Sequence, residues 1–169
     1  MSPAATTSRD PVCAMDVEIA GSRFSASHRG LDFHFCSAQC LENFGNNPEL
    51  YTRYLGLRSG LLPPMPKRRK LPLGPGGDGN IERACRRIGE MMGISQVRAE
   101  SACLIVDYDL KQATLSQIEA VAAAQGLKFK GGFHALRRWL WRSSESTELG
   151  NAAHPATGAC CNKPPEGRN

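Results

Sequence analysis

Apolar and polar positions follow three different rhythms along this chain, and each predicts a different element. Over residues 33–36 they alternate, with Phe33 and Phe35 on one side and His34 and Cys36 on the other, the period of a short strand. Ser37 is placed to cap a helix that follows, with Cys40 one turn beyond Cys36 and Phe44 one turn further. Asn46, Asn47 and Pro48 end that helix, and PELYTRYL predicts a second short one. Further on, Ile81, Ala84, Cys85, Ile88 and Met91 or Met92 recur at helical spacing, between Asn80 as an N-cap and Gly93 as a stop. Residues 97–99 and 102–108 read as strands around a turn at Glu100 and Ser101. Thr114 with Gln117 forms a capping box, Leu115, Ile118, Val121 and Ala122 give the helix behind it an apolar face, and Gly126 closes it before a short strand at 127–129. Last comes a helix whose Phe133, Leu136 and Leu140 share one face, with arginines and Trp139 and Trp141 around it.

These elements divide the chain. Residues 1–9 are expected to be a disordered start, 10–57 a small first unit, 58–67 a Pro/Gly-rich linker, 68–131 a second unit, 132–145 a basic aromatic helix and 146–169 a flexible tail. Counting KLPL at 70–73 as a first strand, the second unit runs βαββαβ, the order of a ferredoxin-like sandwich. The expected fold class is α+β: a small cysteine-anchored module followed by a ferredoxin-like domain.

Composition excludes more than it selects. A net charge of +5 is a mild excess that singles out neither nucleic acid nor anionic lipid. No stretch approaches the roughly 20 apolar residues of a membrane span, and the start of the chain has no basic leader and apolar run. The expected location is the cytoplasm, where thiols stay reduced. Seven cysteines, an odd number, do not read as a disulfide framework. They group as Cys13, Cys36 and Cys40, then the isolated Cys85 and Cys103, then the adjacent Cys160 and Cys161.

The first unit is too small to be secure on buried apolar surface alone, and units of that size lean on a metal or a disulfide. Three thiols in a reducing compartment favour the metal. Cys36 at a helix amino terminus sits where free N–H groups favour a thiolate. Three thiolates and one further donor make a tetrahedral site, the fourth being His34, His28, the thioether of Met15 or water. Soft sulfur ligands suit Cu(I) and Zn(II) alike.

Asp10-Pro11-Val12-Cys13-x-Met15, then Phe35-Cys36-Ser37-x-x-Cys40, Phe44 and Asn47-Pro48-Glu49-x-Tyr51 resemble the YHS domain, a small cysteine motif found beside heavy-metal transport ATPases. Ala14 stands where that family usually has glycine, and His34 where it usually has an aromatic. The second unit's order and its run from Val97 and Ala99 to Ile105-Val106-Asp107-Tyr108-Asp109 are similar to the heavy-metal-associated domain. The loop that carries two cysteines in that family reads here Gly74-Pro75-Gly76-Gly77-Asp78-Gly79-Asn80, so no ligand carries over. Cys85 and Cys103 are expected to pack, and the glycine-rich loop lacks the lysine and hydroxyl of a phosphate loop.

The basic run Lys67-Arg68-Arg69-Lys70 reads as a solvated linker, and the basic aromatic helix as a packing element with membrane-surface contact as the other reading. Cys160 and Cys161, with His154 nearby, are the expected second soft-metal capture site, the other reading being an unselected tail. The expected function is a cytosolic soft-metal protein, copper foremost, that buffers the ion or delivers it to a metal-export ATPase or another metal-handling protein by thiolate exchange. The competing reading is a metal-responsive regulator or adaptor with a structural zinc. No helix-turn-helix supports nucleic acid as a partner, no catalytic constellation is present, and oligomeric state is open.

Overall fold

A computed structural model describes residues 6–53, 63–75 and 80–154. Residues 58–62 of the expected linker, the glycines of 76–79 and the Cys160-Cys161 pair lie outside the described residues. In the first unit β1 (Thr7–Arg9) pairs antiparallel with β2 (Asp16–Glu18), so a strand stands where the polar composition predicts an irregular start. β3 (Phe24–His28) and β4 (Leu31–Phe35) form a hairpin closed by two residues, Arg29 and Gly30, both at positive φ, which matches the twist of the strands. α1 (Ala38–Asn46) and α2 (Pro48–Thr52) follow. Phe33 and Phe35 of β4 are buried against Phe44 of α1, with ring centroids 4.9 and 5.1 Å apart, and Tyr51 of α2 lies 6.2 Å beyond. The expected alternation therefore holds: the two phenylalanines build the core and the residue between them does not.

The first strand of the second unit begins four residues earlier than the sequence predicts. β5 (Pro66–Pro72) takes in the basic run, and its alternation sorts those cations. Lys67 and Arg69 reach Glu148 and Glu145, Arg68 pairs with Asp107, and Lys70 is exposed. Lys67 and Arg69 are thus built into the fold, while Arg68 and Lys70 stay at the surface of a strand, which corrects the reading of a solvated linker. α3 (Ile81–Gly89), β6 (Ile94–Glu100), β7 (Cys103–Asp109) and α4 (Leu115–Ala124) complete the unit. The sheet order is β5-β7-β6, all antiparallel. The fourth strand expected at 127–129 is only an isolated bridge between Leu73 and Phe129, flanked by backbone bonds from Gly74 N to Lys128 O and Lys130 N to Pro72 O.

Local signals met different fates. Thr114 and Gln117 make both bonds of the capping box. Asn80 sits at the start of α3 but makes no side-chain cap bond. α3 stops at Gly89, short of Gly93, whose φ of +81° turns the chain into β6 instead. The hairpin turn between β6 and β7 falls on Ser101 and Ala102, both at positive φ.

α5 (Phe133–Ala153) runs well past its expected end at 145. Glu145, Leu149 and Ala153 are buried one turn apart. Glu145 accepts hydrogen bonds from Leu115 N at 2.9 Å, Arg69 at 3.2 Å and the Tyr108 hydroxyl. A buried glutamate interrupts the apolar period there, and Ser143, Ser144 and Ser146 make the stretch look like a tail.

The two units share one hydrophobic cluster, and α1 supplies much of the junction. The Gln39 amide nitrogen donates to Met92 O at 2.9 Å and Gln112 O at 2.6 Å, and its oxygen accepts from Met92 N at 3.1 Å. Asn43 donates to Gln112 O at 2.6 Å, and the Tyr51 hydroxyl to Lys111 O at 2.6 Å. The Arg53 guanidinium donates to Ala153 O at the end of α5.

Candidate metal centre

Two arms of the chain bring sulfur to one point. Cys13 lies on the tight turn after Asp10-Pro11, where Ala14 N donates to Asp10 O and Asp10 N to Met15 O, each at 2.8 Å. The turn needs Ala14 at φ +63°, a left-handed conformation that costs an alanine roughly 1–2 kcal/mol. Cys36 and Cys40 come from the other arm, where β4 passes into α1. The Ser37 hydroxyl caps that helix by accepting from Cys40 N at 3.3 Å, which sets Cys36 and Cys40 one turn apart on the same side.

The sulfurs of Cys13 and Cys36 are 3.4 Å apart and those of Cys36 and Cys40 3.6 Å. All three are free thiols. Cys40 is fully buried and the other two are half-buried, so the cluster is open on one side. The donor atoms of Asp10, Cys13, Cys36 and Cys40 lie within 4.8 Å of one another, a group that could hold a metal ion.

Asp10 joins the two arms. Its carboxylate is 1% exposed; Oδ1 accepts from Val12 N at 2.8 Å and Cys13 N at 3.4 Å, and Oδ2 from Cys36 N at 2.9 Å. These bonds tie the turn that carries Cys13 to the strand end that carries Cys36. The sequence reading did not single out Asp10. The signal was present in an aspartate two residues before Val12, the spacing at which a carboxylate bonds its own backbone.

The thiols do not share charge evenly. Cys13 is lowered to about 7, chiefly by the hydrogen bond from the Cys40 thiol, with a further contribution from Met15 N–H. Cys36 is raised to about 11 by burial and by its contact with Cys13, and Cys40 is raised further by Cys13 and burial. The cluster thus favours negative charge on Cys13 over Cys36 and Cys40. The favoured thiolate is Cys13, which accepts from its neighbours, and not Cys36, which the helix amino terminus is expected to prepare.

The histidines lie elsewhere. His34 is outside the donor group and faces Ser25 across the hairpin, with Nδ1 buried and unbonded. Asp10, not His34, stands fourth with the three cysteines. His28 lies 3.2 Å from Glu49 and packs edge-on against Phe44. Met15 is half exposed. Cys85 and Cys103 are partly buried; Cys85 packs against the core and is raised by burial, as packing residues behave.

Residues 8–54 match the YHS domain family. No curated protein and no solved structure matches the chain. The family match takes in every member of the sulfur cluster and ends before the second unit, so it does not extend to the heavy-metal-associated resemblance.

Proposed function

We propose that this protein is a cytosolic carrier of a soft metal ion, copper(I) foremost, which it buffers or delivers to an export system by exchange of thiolate ligands. The observation that carries the reading is the convergence of three free sulfurs from two arms of the chain, clamped by one buried carboxylate. Thiolates suit a soft monovalent ion, and a cluster open on one side lets an incoming thiol attack a bound ion. No covalent chemistry on a substrate is required, so the protein need not be an enzyme.

The antiparallel order β5-β7-β6, with a residual bridge on the outer edge of β5, supports reading the second unit as a ferredoxin-like domain of heavy-metal-associated type whose last strand has shrunk. Such a domain without its own thiols serves as a docking partner for domains of like fold in an exporter.

The presence of Asp10 among the four donors favours one alternative, a fixed structural zinc held by three sulfurs and one oxygen in a regulator or adaptor. Titration of reduced protein with Cu(I) and with Zn(II) against a small-molecule thiol competitor tests both. The carrier reading expects Cu(I) to bind tightly, to transfer to the competitor within minutes, and to be lost in Cys13→Ser and Cys36→Ser. Zinc that co-purifies and resists the competitor supports the structural site. Serine variants that keep wild-type metal content refute both. Transfer that persists in a Cys160/Cys161 double serine variant assigns the activity to the front cluster.

A further inference from the structure

The outward face of α5 changes character half-way along. In its first two turns it presents Phe133, Leu136 and Leu140, with Trp139 at the side, and these are 73, 54, 52 and 55% exposed. The same face continues as Ser143, Ser144 and Thr147. The opposite face, through Arg138, Glu145, Leu149 and Ala153, holds the helix to the fold. Four large apolar side chains in two turns therefore leave more than half of their surface uncovered by the described residues. A cluster of this kind marks a contact surface rather than the scattered exposure of an ordinary surface.

The approach to this face is cationic. Lys128 and Lys130 are both exposed and lead through Gly131 and Gly132 into the helix. The segment is tied to the neighbouring strand, where Lys130 N bonds Pro72 O. The carboxylate that α4 offers this helix, Glu119, is already held by Arg138 and Arg142, each at 2.6 Å. A twofold pairing of two copies through this patch would bring its lysines together, whereas an anionic surface would complement them.

We propose that this end of α5 docks on the surface of an anionic lipid bilayer. Phe133, Leu136 and Leu140 enter the boundary of the acyl chains. The Trp139 indole, apolar with one N–H, sits at headgroup level, and Lys128 and Lys130 meet the lipid phosphates. Apolar insertion and basic attraction together are the two signals that stable peripheral binding takes. No helix among the described residues is long and apolar enough to cross a membrane, so the helix lies along the surface. The inference uses none of the thiols, and its failure leaves the metal reading untouched.

The test uses the full chain, reduced, with vesicles of phosphatidylcholine alone and of phosphatidylcholine mixed with phosphatidylglycerol, at physiological salt. Co-sedimentation with the anionic vesicles only is expected. In a Trp141→Phe variant, which leaves Trp139 as the reporter, emission should move to the blue on binding. Leu136→Ser with Leu140→Ser should lower partitioning at least about tenfold, since each leucine contributes its own apolar burial. Lys128→Glu with Lys130→Glu should lower it too and flatten its salt dependence. All four positions are exposed, and a circular dichroism spectrum confirms that the variants fold. Failure to bind, equal binding to both vesicles, or a concentration-dependent dimer that the leucine substitutions abolish would overturn the proposal.

Discussion

Asp10→Asn isolates the role of the buried carboxylate, because it keeps the shape and removes one acceptor. Asparagine must place its NH2 at one of the two oxygen positions. The less costly choice is that of Oδ2, which has a single partner, Cys36 N at 2.9 Å, and leaves the bonds at 2.8 and 3.4 Å from Val12 and Cys13 in place. The NH2 then faces an N–H, so one charge-assisted bond, worth about 1.5–3 kcal/mol, is lost and the other two weaken to neutral bonds. Removing a negative charge beside the thiols offsets part of this. A net loss of about 2 kcal/mol is expected, or a fall in Tm of about 4–8 °C for a chain of this size. Asp10→Ala leaves all three donors unmatched and should lose about 3 kcal/mol or more. The assay is urea unfolding of the reduced protein with a chelator present, so that no ion contributes. A change below about 0.5 kcal/mol for the asparagine variant, the range of an ordinary surface substitution, would refute the clamp. Cobalt(II) loading then separates clamp from ligand: thiolate charge-transfer bands that keep their shape in the variant mean that Asp10 holds the arms without touching the ion.

Ala14→Gly should stabilise the apo protein by about 0.5–1 kcal/mol, since relief of a left-handed alanine exceeds the added chain entropy; a lower urea midpoint would contradict this. Gly93→Ala should destabilise by about 2–3 kcal/mol, because a Cβ there lies 2.5 Å from the Gln112 Cβ at a φ of +81°. Gln39→Ala removes three bonds across the junction and should cost about 2–3 kcal/mol, with faster amide exchange at Met92 as the local readout. Lys67, which hydrogen-bonds Glu148, holds that carboxyl below its usual range. The stabilisation it gives is therefore complete above the unfolded carboxylate pKa and disappears as pH falls through the folded one. Lys67→Met should remove this acid-side dependence, a partly exposed contribution of about 0.5 kcal/mol, read from urea midpoints at acid and neutral pH.

The first unit was legible because its signals are local. Alternation at 33–36, the Ser37 cap and the one-turn spacing of Cys36 and Cys40 each involve neighbours in sequence, and each stands in the structure. The convergence of Cys13, 23 residues from Cys36, followed from the size of the unit and the grouping of its thiols, with the family resemblance in support, and from no local pattern. Which thiol carries the charge was not legible: helix position favours Cys36, but the hydrogen bonds among the three thiols favour Cys13, and those are tertiary. The second unit's helices were found by their period. Its first strand was misjudged because Lys67 to Lys70 look solvated, and only the carboxylates of α5, some eighty residues on, make two of them inward-facing. The same pairing hid the length of α5, as Glu145 is polar by type and buried by position.

The helix that lines the sulfur cluster also fastens the front of the molecule to its back, since Cys40 stands between Gln39 and Asn43 on the same nine residues. Cutting the chain after Arg53 would strip those amides and the Tyr51 hydroxyl of their acceptors and bare Leu50 and Tyr51 to water. The isolated front piece would then be a poorer ligand for the ion than the same residues in the whole chain, because the wall that presents Cys40 would have lost its backing.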